Sequence, residues 1–136
     1  MAPADLPRIR VVSAEIERDG RYLITQRRVE AVLPLLWEFP GGRVRPAETD
    51  AAALVRALSD RLGLDAVVGA QSMEIEHAYE DYALTLAVYR VTIPDTQEPV
   101  ARHVEDFAWV LPEDFIGYEF PGADQATIDK LVRSNE

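Results

Sequence analysis

The order of elements legible in this chain predicts an α/β fold in which a mixed sheet lies between helices. Three observations carry that reading. One helical segment, Asp50 to Leu62, stands between extended segments on either side. A later segment, Tyr82 to Ile93, is largely apolar on both strand faces, as a central strand must be, and Asp124 to Arg133 reads as a closing helix that carries Ile128 and Leu131 toward a core. The 136 residues, 48% hydrophobic and 28% charged, are enough to bury one core and read as a single domain over 1–136.

In chain order, Ile9 to Glu17 alternates and passes through Asp19-Gly20, a turn signal, into Arg21 to Arg27, which predicts a β-hairpin. The next segment, RVEAVLPLLW, contains Pro34 and no clean period, so it reads as a loop leading to a short strand at Glu38-Phe39. Thr49 suits an N-cap, Ala51 to Leu54, Leu58 and Leu62 are good helix formers, and Gly63 suits the left-handed position that stops a helix. Extended stretches then lie within Ala66 to Tyr79 and Tyr82 to Ile93, separated by Glu80-Asp81. A further strand is predicted at Phe107 to Leu111, and no internal repeat or low-complexity segment is visible.

Composition excludes several functions. Without cysteine there is no thiol catalysis, disulfide or thiolate metal site. A net charge of −10 argues against broad binding to nucleic-acid backbones, whose affinity comes from clustered basic residues. Thirteen of the 14 basic residues are arginine, which favours forked, directed contacts over diffuse attraction. No apolar run approaches a membrane span, and the start, MAPADLPRIRVV, lacks the charged-then-apolar order of a secretory leader, so the expected location is cytoplasmic and no membrane partner is expected.

The most specific signal is Leu36 to Leu64, LWEFPGGRVRPAETDAAALVRALSDRLGL. It places Gly42, Glu48, Arg56, Leu58, Gly63 and Leu64 at the spacing G-x5-E-x7-R-E-U-x-E-E-x-G-U, where U is a bulky aliphatic residue. In these residues the chain resembles the Nudix hydrolases, and specifically the small MutT-like nucleotide pyrophosphohydrolases. Val11 to Arg27 is similar to the family's first hairpin, Leu36 to Gly42 to the segment before its box, and Phe120 to Leu131 to its C-terminal segment. The resemblance implies an α/β/α Nudix sandwich with a mixed β-sheet.

It also implies a chemistry that the residues only partly support. The family places three helix glutamates where this chain has Ala57, Asp60 and Arg61. Spacings of i,i+3 and i,i+4 put these positions on one helical face, where carboxylates would hold Mg2+ to polarise a phosphate and activate water. One carboxylate beside a fixed cation is a poor magnesium site. The residual metal set is the Gly41 carbonyl, Glu48 and Asp60, weak or absent as a site, and Glu48, Asp60 and Arg61 are the catalytic candidates. Arg61 lies within reach of Asp60 or Glu48, either as an ordinary surface ion pair or as a counter-charge in the vacated metal position. A further family glutamate, six residues before a strand tryptophan, falls here on His103, with Glu105 or Asp106 as substitutes if the loop shifts.

For substrate the resemblance points to Arg27, Phe39 and Asp124. Asp124 follows Phe-Pro-Gly-Ala, where the family reads the nucleobase edge, and an ionised carboxylate there would favour an exocyclic amine. The same residue stands at a helix start, where aspartate is a common cap. The partner expected is a nucleotide or nucleoside diphosphate derivative. The favoured reading is a nucleotide-binding Nudix-fold domain with a degraded carboxylate set, weakly active or inactive as a diphosphate hydrolase, with Mg2+ as its cofactor if it is active and none otherwise. The alternatives are a functioning Mg2+-dependent nucleoside triphosphate pyrophosphohydrolase with an altered site, and a protein-interaction scaffold.

Overall fold

A computed structural model describes residues 6–134. The first five residues, part of the segment read against a secretory leader, and the last two lie outside the described residues. Eight strands and two α-helices follow in the order β1 (Arg8–Glu15), β2 (Glu17–Arg18), β3 (Arg21–Gln26), β4 (Trp37–Glu38), β5 (Gly41–Arg43), α1 (Asp50–Leu62), β6 (Val67–Ala78), β7 (Ala83–Thr92), β8 (Asp106–Val110) and α2 (Gln125–Ser134). Short 3-10 turns at Pro112–Gly117 and Gly122–Asp124 join β8 to α2.

The strands form two four-stranded sheets. The first has the order β5-β1-β7-β6, and the second is built on β3, which pairs with β2, β4 and β8. In the first sheet β1 and β7 run parallel while β5 and β6 pair antiparallel, so the sheet is mixed, as expected. β7 lies between β1 and β6, which explains its two apolar faces. Val12, Ala14, Ala87 and Val91 pack with Leu54, Leu58 and Leu62 of α1 on one side. On the other side Leu84, Leu86 and Val88 pack with Ala123, just before α2. β3 divides in the same way, with Leu23 in the α1 cluster and Ile24 in the cluster that holds Leu131 of α2. This is an α/β/α sandwich.

The helix before Gly63 follows its sequence signals. The Thr49 hydroxyl accepts from the Ala52 N–H at 3.1 Å, and Gly63 takes a left-handed φ of 66° that returns its N–H to the Ser59 carbonyl. Arg10 grips Asp50 of the first turn through two N–H bonds of 2.8 and 2.7 Å, and the Tyr89 hydroxyl donates to the same carboxylate at 2.6 Å. The arginine bond holds the Asp50 carboxyl below its usual range despite partial burial. The start of α1 is thereby tied to β1 and β7.

Three expectations need correction. The predicted hairpin of Ile9–Glu17 with Arg21–Arg27 is divided: β1 belongs to the first sheet, and only β2 and β3 pair across Asp19-Gly20. Ile16, buried between the two sheets' shared core, is where the chain changes sheet, and alternation alone does not reveal a change of partner. The helix start predicted at Asp124 is a 3-10 turn, with α2 beginning at Gln125. The predicted strand Glu38-Phe39 is observed one residue earlier, at Trp37–Glu38.

Leu58 is fully buried at the centre of the α1 face. Leu58→Ala should lower the unfolding free energy by about 2–5 kcal/mol, measured by urea denaturation with an unchanged m-value.

Candidate nucleotide site

Between the first sheet, β4, β5 and the turn before α2 lies a cavity of about 710 Å³, which lies within the range of roughly 300–1,000 Å³ typical of small-molecule sites. Its floor is the α2-side face of the first sheet. Strand alternation turns Ile9, Val11 and Ser13 of β1 toward it, beside Leu84 and Leu86 of β7. One wall carries Phe39, Glu38 and Arg27. Another carries Tyr79, Tyr82 and Asp124, and the rim over β5 carries Arg43, Arg61 and His103.

Arg27, Phe39 and Asp124, named from separate parts of the chain, therefore line one space. Arg27 is more than a solvated strand end: its Nε donates to Glu38 Oε1 at 3.0 Å and its Nη1 to the Val32 carbonyl at 2.7 Å. Phe39 is buried, edge-on to Phe115 and stacked with Phe120. The Asp124 carboxyl makes no hydrogen bond among the described residues and does not cap α2, so the capping reading is corrected; its backbone N–H alone closes the turn, onto Pro121. Burial, reinforced by nearby Glu38 and opposed by Arg27, pushes its pKa well above the usual carboxylate range. A neutral carboxyl offers one donor and one acceptor, where the sequence reading assumed acceptors alone. Tyr79 stacks on Tyr82 at 5.0 Å, and its hydroxyl accepts from the Ala123 N–H at 3.0 Å, which fixes the turn that presents Asp124.

At the box the geometry is decisive. Glu48 is clamped by Arg56 through bonds of 2.9 Å to each carboxylate oxygen and also accepts from the Arg45 N–H at 3.0 Å. The arginine bonds first, and then the backbone bond, hold the Glu48 pKa at about 2. Asp60 is exposed and does not line the cavity, and it contributes to the charge that Arg56 feels. Arg61 pairs with neither carboxylate. Its Nη1 donates instead to the Gly41 carbonyl at 2.7 Å, the short length of a charge-assisted bond.

Three small residues make that reach feasible. A Cβ on Gly41 would stand 1.9 Å from the Val12 carbonyl oxygen, so only glycine fits beside β1. A Cβ on Gly42 would stand 3.0 Å from the Ala57 Cβ and 3.7 Å from the Arg61 guanidinium carbon. β5 is the edge strand of its sheet, and α1 packs over it.

Glu105 and Asp106 do not reach the cavity. The Glu105 N–H bonds the Gln26 carbonyl, and the Asp106 carboxylate accepts from the Phe107 N–H. Among the described residues no three His, Asp or Glu side chains gather as a metal cluster would. Sequence reasoning missed Ser13, Arg43, Glu38 and the Tyr79–Tyr82 pair. Ser13 had a signal, a lone hydroxyl in the apolar run VVSA, whereas the tyrosines join the site only through the packing of the turn before α2.

This fold and box frame define a class, and comparison with known proteins agrees. A family model for the NUDIX domain matches residues 11–130. The chain belongs to the Nudix family, and its neighbours are MutT-like. It is 36% identical over 125 residues to a CTP pyrophosphohydrolase of Escherichia coli K12, with 91% of each chain covered. It is 35% identical to a putative 8-oxo-dGTP diphosphatase 2 of Mycobacterium tuberculosis, covering 91% of this chain and 88% of that one. Among solved structures, the E. coli ORF135 protein superposes with a TM-score of 0.77 at 32% identity, over 95% of this chain and 91% of that one. The MutT protein from Methanosarcina mazei Go1 gives 0.84 at 20% identity, over 98% and 99%, a likeness of fold.

Because the Asp124 pKa is raised in the folded state, its contribution to stability is full below the unfolded value near 4 and is lost as pH rises through the folded value. Asp124→Asn should therefore raise the melting temperature at pH 8 and change it much less at pH 4, in paired thermal melts at the two values.

Proposed function

We propose that this Nudix domain binds a nucleotide in the cavity between Asp124 and Arg61 and hydrolyses it weakly or not at all. The single observation that supports this reading most is the Arg61 guanidinium on the Gly41 carbonyl. Nudix hydrolases generally use a divalent metal, typically Mg2+, which needs several hard oxygen ligands. Here the Gly41 oxygen already accepts from a cation, Ala57 offers a methyl group, Asp60 faces solvent, and Glu48 is committed to Arg56. These residues do not fit a magnesium ion, and a fixed positive charge at this point would repel one.

The opposite wall supports the nucleotide part of the reading. The Asp124 carboxyl can accept from an exocyclic amine and, when protonated, also donate to the ring nitrogen beside it, the edge that cytosine presents. The CTP pyrophosphohydrolase similar to this chain is consistent with that choice of base. Tyr82, Tyr79 and Phe39 supply aromatic surface around it. That relative also motivates the second reading, an active pyrophosphohydrolase with an altered site.

Kinetics separate the two. The wild type with CTP and Mg2+ should turn over far below the median enzyme rate of about 10 per second. Introducing Ala57→Glu, Arg61→Glu and His103→Glu together should raise the rate, while each change alone does little, because metal ligands act as a unit. Wild-type turnover near that median would establish the active-enzyme reading instead. Calorimetry with a nonhydrolysable CTP analogue should show tighter binding than with its UTP counterpart, and Asp124→Ala, which removes both the donor and the acceptor, should narrow the difference. Equal wild-type affinities would remove Asp124 as the base reader.

A further inference from the structure

Around the cavity the charges are unevenly committed. Arg27 is paired with Glu38, and Arg28 with Glu30. Among the described residues neither Arg43 nor Arg61 has a carboxylate within ion-pair distance, although the chain carries ten more negative than positive charges. β5 contributes Arg43 directly opposite Val11, and Val11 turns toward the cavity. Arg61 reaches the same rim from the last turn of α1, and His103 follows from the loop whose N–H groups at residues 102 and 103 bond the Arg61 carbonyl. Three elements thus converge their basic side chains on one opening.

The floor below holds a second, independent sign of a ligand. Ser13 is 3% exposed, lines the cavity opposite Gly41, and its hydroxyl oxygen has no hydrogen-bond partner. A buried hydroxyl without a partner destabilises a fold unless something else satisfies it. The apolar side chains that line the cavity floor, Val11 and Leu86 among them, cannot. A phosphate or sugar oxygen entering the cavity can.

We infer that the nucleotide is bound as its metal-free anion, with Arg43, Arg61 and His103 donating to the phosphates and Ser13 completing the contact from the floor, so that free Mg2+ weakens binding. This rests on the nucleotide-binding reading above. The guanidinium fork matches phosphate oxygens in geometry, and imidazole retains an N–H donor whatever its charge. A nucleotide already wrapped around Mg2+ would bring a second cation against Arg61 and would present fewer free oxygens to the arginines. Magnesium therefore competes with the protein for the ligand, where in a metal-assisted hydrolase it would join them.

The test is titration of the full chain with a nonhydrolysable CTP analogue, once in EDTA and once with excess Mg2+. Binding should be tightest in EDTA and weaken by about tenfold or more with Mg2+, and Arg43→Gln, an exposed change that leaves the core intact, should lose about tenfold in EDTA. Ser13→Ala adds a readout that a structural role would not produce: it should raise the melting temperature of the free protein and yet weaken the analogue. Binding that Mg2+ strengthens or leaves unchanged would overturn the inference while the nucleotide reading stands. So would an analogue affinity untouched by both substitutions. Absence of binding under either condition would overturn both.

Discussion

The bond from Arg61 to the Gly41 carbonyl is the contact on which the arrangement of the site turns. It joins the end of α1 to the edge strand β5 at a point where Gly41, Gly42 and Ala57 leave no room for larger side chains. Arg61 also stands in the last turn of its helix, where a cation meets the negative end of the helix dipole. The guanidinium is thus held by a directed bond, by the dipole and by close packing beneath it. A carboxylate at the same position would meet the carbonyl oxygen as a second acceptor, and the two would need a cation between them. In this chain the cation is part of the covalent structure.

The rest of the box follows from that substitution. Glu48 and Arg56 keep their mutual clamp, which closes the loop from β5 into α1 and is independent of any metal. Asp60, relieved of a partner on the cavity side, lies on the exposed side of the helix. The opposite end of the cavity is built by different elements: Arg27, just after β3, bonds Glu38 of β4, and Tyr79 secures the turn that buries Asp124. A site assembled from two independent halves can lose hydrolysis at one end and keep recognition at the other, which is why we favour a binding domain over an enzyme.

Much of the fold was legible because its signals are local. Thr49 and Gly63 bracket α1 at the residues their capping chemistry predicts, and the two apolar faces of β7 identified a central strand before any partner was known. What sequence could not supply was non-local choice. Nothing in the alternation of Ile9 to Glu17 says that β1 pairs with β7 and β5 while the next residues join another sheet. The same limit governed the site. The reversed charge of Arg61 is legible in the sequence, which points it to the carboxylates at 48 and 60 because ion pairs are the default for a surface arginine; its partner is a main-chain carbonyl, that of Gly41. Asp124 stands where the sequence suits a helix cap, yet the cap geometry is absent and the carboxyl is buried near Glu38, a proximity set by the packing of β4 and not by spacing.

The central claim is that a guanidinium holds the position at which this family places its metal. Paramagnetic broadening by Mn2+, read residue by residue from backbone amide signals, tests it most directly. The account predicts that at equimolar Mn2+ the signals of Gly41, Gly42 and Asp60 keep the same intensity relative to the rest of the chain, and that selective loss at those signals emerges once Arg61 is replaced by Glu. Selective, saturable loss at Gly41, Gly42 and Asp60 in the unaltered protein would contradict it.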